Sequence, residues 1–244
     1  RAPSLARHRR RRYGEQYAFA PGFGSFPGRR GYGMGSLLRA FGAWDYTPDG
    51  QRYALDSPVH RAAYEFAYSF VESGLTRLGL GSTQFRQGIL GVHFDAARLA
   101  QEAQFRWTMV TPPRGPAGAK VILHGNPSLA IAANTPYVEE SWAFIRHVLE
   151  SQTATSIYLE GNMPTKRSAA AEWIARGAEL WPGFDPRAAM ASIEGSVFLP
   201  VIAPEDAQAE SAITSILNQA ARGEMPFATA LEEATRRANA IIGQ

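Results

Sequence analysis

Apolar residues recur at helical spacing along much of the chain. After Asp56-Ser57-Pro58, which supplies a capping side chain and a first-turn proline, alanine and phenylalanine residues repeat every three or four positions up to Gly74. This pattern predicts a helix that begins near Pro58. The same period predicts further helices at 36–41, 82–87, 135–150, 151–161, 168–176, 205–222 and 226–242.

Short apolar runs between turn residues predict strands. They lie at 16–20, 89–94, 105–110 and 129–133. The segment 43–55 predicts two short extended pieces around a turn at Pro48-Asp49-Gly50. Strands and helices alternate through residues 85–160 and only helices follow, so the sequence predicts a three-layer α/β fold with a mainly parallel sheet and additional C-terminal helices packed on it.

The charge of the chain is unevenly distributed. The 244 residues carry a net charge of +3, but residues 1–12 hold six arginines and no acidic residue. The rest of the chain has 19 basic and 22 acidic residues, a net charge of −3. We interpret residues 1–12 as a basic tail or truncation remnant, and no basic and aromatic pattern elsewhere predicts a nucleic-acid partner.

The sequence contains no recognisable catalytic or metal motif. It has no cysteine, no G-x-S-x-G, no P-loop and no H-E-x-x-H, and the run at Gly31–Gly35 lacks the spacing of a dinucleotide fingerprint. His93 and Asp95 point the same way on a predicted strand, but a lone His-x-Asp has no metal or triad specificity. We therefore expect a protein that is not an enzyme, with no metal and no cofactor.

Several stretches together resemble one family. The longest is SLAIAANTPYVEESWAFIRHVLESQTATSIYLEGNMPTKRS, from Ser128 to Ser168. GAWDYTPDGQRYALDSPVHRAAYEFAYSFVESG precedes it, Phe85–Phe94 lies between the two, and Ile213–Gly223 and Ala230–Ile242 follow. In this order and spacing they resemble the extracellular solute-binding protein family 1, the sugar-type substrate-binding proteins of ABC importers.

The resemblance implies a fold and a domain organisation. Residues 13–244 resemble the C-terminal lobe of a type II periplasmic-binding protein with a remnant of the hinge, and the N-terminal lobe of the family has no counterpart in this sequence. The implied function is capture of a carbohydrate or related small solute in a cleft between lobes and its delivery to the transmembrane subunits of an ABC permease. The implied location is periplasmic or extracellular, with a lipoprotein anchor as one form.

The family places ligand contacts in loops at the cleft. The corresponding positions in this chain, which are the expected ligand-binding residues, are Phe23, Tyr32, Trp44, Phe94, Asp95, Gly125, Asn126 and Glu210. An aromatic ring stacks on the C–H face of a sugar, and amides and carboxylates bind its hydroxyls. Two tryptophans of the maltodextrin-binding relatives have no counterpart here, which favours a monosaccharide, a polyol or a phosphorylated polyol over a malto-oligosaccharide.

Two alternatives to a solute-binding module stay open at this point. One is a carbohydrate-active α/β enzyme. Its chemistry would need two carboxylates on opposite sides of a cleft, an arrangement that a sequence does not reveal. The other is a fragment that does not bind a solute. We further expect Trp107 to lie in the core, and Trp142, Trp173 and Trp181 to lie in the core or to pack between lobes, rather than in a site.

Overall fold

The structure is a computed structural model of the chain. It describes residues 17–20, 32–93, 103–111, 113–118, 122–123, 129–150, 167–181, 183–185, 187–188, 191, 196–197 and 203–243. The predicted helix at 151–161 and the tail at 1–12 lie outside these residues, so the structure does not test them.

Seven α-helices and four short strands have defined bounds in the described part of the chain. The strands are β1 (Tyr17–Ala20), β2 (Leu90–His93), β3 (Ile122–Leu123) and β4 (Ser196–Val197). The helices are α1 (Tyr32–Phe41), α2 (Pro58–Glu72), α3 (Ser82–Arg86), α4 (Val138–Glu150), α5 (Ala170–Leu180), α6 (Asp206–Ala221) and α7 (Phe227–Ile242). A turn of 3-10 helix, Arg167–Ala169, leads into α5.

The four described strands form two parallel pairs. In the first pair Tyr17 lies opposite Leu90 and Ala20 opposite His93. In the second pair Ile122 lies opposite Ser196 and Leu123 opposite Val197. Parallel strands require a crossover connection between them. The chain supplies α1, α2 and α3 between β1 and β2, as an α/β fold requires.

The largest hydrophobic core joins the helices α1, α2, α6 and α7. Its buried centre includes Leu38, Tyr64, Ile213, Leu217 and Leu231. Ser57 caps the first turn of α2 by accepting a hydrogen bond from the backbone N–H of His60. The predicted turn at 48–50 closes a small hairpin in which Tyr46 pairs with Tyr53, and this hairpin packs on α7.

Two strand predictions are wrong. Residues 105–110 have no strand structure, because Trp107 and Met109 turn toward Trp173, Trp181 and Phe184 and form a separate small core with them. Residues 129–133 are likewise not a strand. There the chain is exposed and turns, with the N–H of Thr135 bonded to the carbonyl of Ala132.

The tryptophan predictions have mixed outcomes. Trp173 and Trp181 are buried as predicted, and Trp107 is partly buried against them. Trp142 is not in the core, because 51% of its surface is exposed on α4. Its helical stripe is present, but none of the α4 residues is buried.

Candidate functional site

The carboxyl ends of β1 and β2 lie side by side. Ala20 is the last residue of β1, His93 is the last residue of β2, and the two are partners in the parallel register. Phe23 follows β1 by three positions, and Phe94 and Asp95 come directly after β2. These three predicted site residues lie outside the described part of the chain, but each follows a strand whose carboxyl end is described.

The second strand pair has the same arrangement. β3 ends at Leu123, opposite Val197 at the end of β4. Gly125 and Asn126 follow β3 within three positions and also lie outside the described residues. In open α/β sheets, ligands bind beyond the carboxyl ends of the strands. Five of the predicted ligand-binding residues therefore follow such a strand end within three positions of the sequence.

Tyr32 and Trp44 lie at opposite ends of α1. Tyr32 is the first residue of this ten-residue helix, on the connection that leaves the carboxyl end of β1. Trp44 follows the last residue, Phe41, by three positions. The helix is about 15 Å long, so a solute the size of one sugar ring does not reach from one to the other.

Trp44 has a defined environment. Its side chain is 54% exposed, and the guanidinium carbon of Arg39 lies 5.3 Å from the centroid of its ring. Arg39 itself is buried and pairs with the carboxylate of Asp45. It also donates a 2.8 Å hydrogen bond to the carbonyl of Ala43. One face of the indole is thus covered by a fixed cation.

Glu210 lies on α6, one turn after its first residue, Asp206. Asp206 is buried and its carboxylate accepts a hydrogen bond from the hydroxyl of Tyr53. Glu210 is half-buried and takes part in a further interaction. The connection from β4 leads into this helix, so Glu210 belongs to the element that follows the fourth strand end.

Ser57, His60 and Asp45 form an unexpected row of side chains. The hydroxyl oxygen of Ser57 lies 2.8 Å from Nδ1 of His60, and Nε2 of His60 lies 3.5 Å from the carboxylate of Asp45. The residue types match a hydrolytic triad. However, His60 is buried, the Ser57 oxygen caps α2, and Asp45 is paired with Arg39. The row therefore connects the first turn of α2 to Asp45 and Arg39 at the end of α1, which is a structural role.

Little in the sequence predicts this row of side chains. Asp45 and His60 are 15 positions apart, and Arg39 lies on a different element. Only the capping pattern Asp56-Ser57-Pro58 pointed to Ser57. Among the described residues, no group of three or more histidines, cysteines or carboxylates has the geometry to hold a metal ion.

Solved structures with the same fold include three sugar-binding proteins. A cyclic alpha-maltosyl-1,6-maltose binding protein from Arthrobacter globiformis has a TM-score of 0.76 at 16% identity, over 98% of this chain and 63% of its own. A solute-binding protein of an ABC transporter from Thermotoga lettingae, bound with alpha-D-tagatose, has a TM-score of 0.69 at 16% identity, over 93% and 59%. The maltose/maltodextrin-binding domain MalE from Bdellovibrio bacteriovorus, bound to maltotriose, has a TM-score of 0.70 at 14% identity, over 94% and 61%.

These similarities establish the fold. The chain has the fold of type II periplasmic-binding proteins, which confirms the fold class predicted from the sequence. It spans 63% or less of the length of the three structures compared above. No protein-family model matches the sequence, and no curated protein matches it. Within the described residues, no helix has the length and apolar character needed to cross a membrane.

Proposed function

We propose that this chain is the solute-binding component of an ABC importer, or the larger part of one, and that it captures a carbohydrate or related small solute. The observation that carries the proposal is the fold, which it shares with proteins that bind cyclic maltosyl-maltose, tagatose and maltotriose. Fold alone does not define function. The second support is the position of the expected contacts after strand ends.

We place the solute at the carboxyl ends of the parallel strands. Phe23 and Phe94 offer aromatic rings, Asp95 and Asn126 offer a carboxylate and an amide, and Gly125 allows the backbone to approach closely. We include Tyr32 in the proposed site because it begins the helix that follows β1. We include Glu210 because it lies on the helix that follows β4. Trp44 lies at the far end of α1 and is the least suited to the same small solute.

The solute that this group favours is polar and small. With few stacking rings available, its affinity depends mainly on hydrogen bonds to hydroxyl groups, which favours a monosaccharide, a polyol or a phosphorylated polyol. The partners in the proposal are the transmembrane subunits of an ABC permease, and the location is periplasmic or extracellular, with a lipoprotein anchor as a possible attachment. The protein binds its solute without chemical change, in line with structural neighbours that are binding proteins.

Calorimetry with site variants tests this proposal. The chain is titrated with D-tagatose, sorbitol, sorbitol 6-phosphate, maltose and maltotriose, and each titration is repeated with Asp95→Asn, Asn126→Ala and Trp44→Ala. Loss of one or two hydrogen bonds from a buried solute weakens binding by about tenfold or more. We expect this loss for the first two variants and less than a threefold change for Trp44→Ala.

Two results would contradict the proposal. One is turnover of a sugar substrate that Asp95→Asn abolishes, which would favour the carbohydrate-active enzyme. The other is the absence of saturable binding to any member of the panel up to high millimolar concentration, which would favour the fragment that does not bind.

A further inference from the structure

The helix α4 carries a row of exposed apolar side chains. Val138, Trp142 and Leu149 are 40–51% exposed, although such residues normally lose most of their surface in a folded protein. None of the residues of α4 is buried. The helix is continuous along its thirteen residues, so the row is continuous as well, although Phe144 on the other side of α4 is also exposed.

The spacing of the row is typical of a helix that packs against another helix. Val138, Trp142, Ile145 and Leu149 are separated by four, three and four positions. An alternation of four and three keeps apolar side chains along one seam between two paired helices. Ile145 is half-buried, while the three other members are exposed, so part of the seam is uncovered.

The charges beside the row are arranged for pairing with an antiparallel copy of the same helix. Glu139 lies near the N-terminal end of α4 and Arg146 lies seven positions later, on the same side of the helix. Both side chains are exposed. When a second α4 runs in the opposite direction, Glu139 of each copy lies opposite Arg146 of the other, and two-fold symmetry produces this ion pair twice.

We propose that α4 is a self-association surface whose partner is a second copy of this chain, packed antiparallel along Val138, Trp142 and Leu149. The self-complementary charges favour a second copy of this chain as the partner, because α4 itself supplies both members of the ion pair, Glu139 and Arg146. The two Trp142 side chains lie close to the two-fold axis, where large rings contribute most to packing.

The size of the helix limits the strength of the association. Thirteen residues span about 20 Å, and such a face buries much less than the roughly 800 Å² per partner of a standard stable interface. The dimer is therefore weak and depends on concentration. Weak association of this kind is sensitive to single charges, which makes charge reversal a suitable test.

Sedimentation velocity over a concentration series tests the proposal with four variants. Glu139→Arg places like charges opposite each other twice, and so does Arg146→Glu, so each weakens the dimer by about tenfold or more. The double variant Glu139→Arg/Arg146→Glu restores both pairs and brings association back toward that of the natural chain. Glu140→Arg makes the same charge change on the side of α4 away from the row and leaves association unchanged.

A disulfide trap tests the antiparallel direction. The chain has no cysteine, so the only thiols are those introduced. When Glu139→Cys and Arg146→Cys proteins are mixed and oxidised, the proposal predicts mixed disulfides between them in preference to either symmetric product. A chain that stays monomeric at all concentrations, association unaffected by charge reversal, or a preference for symmetric disulfides would each overturn the proposal. Circular dichroism confirms that every variant retains the helical content of the natural chain.

Discussion

The hydroxyl of Tyr53 donates a hydrogen bond to the carboxylate of Asp206, which lies 153 positions later in the chain. Both side chains are buried. The bond joins Tyr53, at the end of the 46–53 hairpin away from its turn, to the first residue of α6, and a carboxylate is favourable at that end of a helix. Tyr53 therefore connects the N-terminal and C-terminal halves of the largest core.

Tyr53→Phe removes this donor and leaves the Asp206 carboxylate buried with one partner fewer. We expect the free energy of unfolding to fall by about 1–3 kcal/mol, measured by urea denaturation. Tyr68→Phe is the matched control, because Tyr68 contacts Phe227 through its ring edge and its hydroxyl has no hydrogen-bond partner among the described residues. Equal effects of the two substitutions would contradict a specific role of the Tyr53 hydroxyl.

Asn239 pairs with the backbone of Tyr53 as a neighbouring strand would. Its amide oxygen accepts from the Tyr53 N–H at 2.8 Å, and its amide nitrogen donates to the Tyr53 carbonyl at 3.0 Å. Asn239→Ala removes both bonds and should lower the free energy of unfolding by about 1–3 kcal/mol. Asn218→Ala, at a half-buried position of α6, should change stability by no more than about 0.5 kcal/mol.

The buried ion pair between Arg39 and Asp45 predicts a non-additive pair of substitutions. Arg39→Met leaves the Asp45 carboxylate buried without its guanidinium and should cost about 3–5 kcal/mol of stability. The double variant Arg39→Met/Asp45→Leu leaves neither charge of the pair buried without its partner. Its loss of stability should therefore be smaller than that of Arg39→Met alone. If the loss in the double variant equals the sum of the losses measured separately for Arg39→Met and Asp45→Leu, the two side chains are not coupled.

The small core around Trp173 predicts a strong effect at Gly183. A Cβ added there would lie 2.3 Å from the carbonyl oxygen of Trp107, so the backbone has to move. Gly183→Ala should lower the melting temperature and shift the tryptophan emission to longer wavelength as water reaches Trp173 and Trp181. Gly81→Ala is the control, since a Cβ there would meet no atom within 4 Å.

The turn at 47–51 predicts a titration that depends on one hydroxyl. The side chain of Thr47 donates to the Asp49 carboxylate, and with the backbone N–H of Gln51 it holds the pKa of Asp49 below its usual value. Because the folded-state pKa is lowered, the associated stabilisation is present above the unfolded-state pKa and is lost as pH falls through the folded-state pKa. In Thr47→Val, NMR titration should show the pKa of Asp49 rising toward its usual value.

The helices of this chain could be predicted well from its sequence, because they carry local signals. Ser57 and Pro58 place the start of α2, and the predicted helices near 205–222 and 226–242 are confirmed by α6 and α7 within one residue at each end. The turn at Pro48-Asp49-Gly50 is likewise confirmed by the pairing of Tyr46 with Tyr53. Capping and helical period depend only on neighbouring residues.

The strands were harder to predict, because their pairing is decided by distant partners. In the described residues, β3 and β4 have two residues each, and Ile122–Leu123 pairs with Ser196–Val197, more than 70 positions away. The run at 105–110 has strand composition, but Trp107 and Met109 pack against α5 and the residues after it. The predicted contacts after the strand ends stay a prediction, because five of them lie outside the described residues and the side chain of Tyr32 is not described.

The most direct test of the proposed solute site is a map of backbone amide shifts during titration. Nitrogen–proton NMR spectra of the labelled chain are recorded with increasing D-tagatose, sorbitol 6-phosphate or maltotriose, a measurement that also detects millimolar binding. We expect saturable shifts at Ala20, Tyr32, His93 and Leu123, around the carboxyl ends of the strands, and none at Trp44. Shifts centred on Trp44 with none at the strand ends, or no saturable shifts with any of the three solutes, would contradict the proposed site.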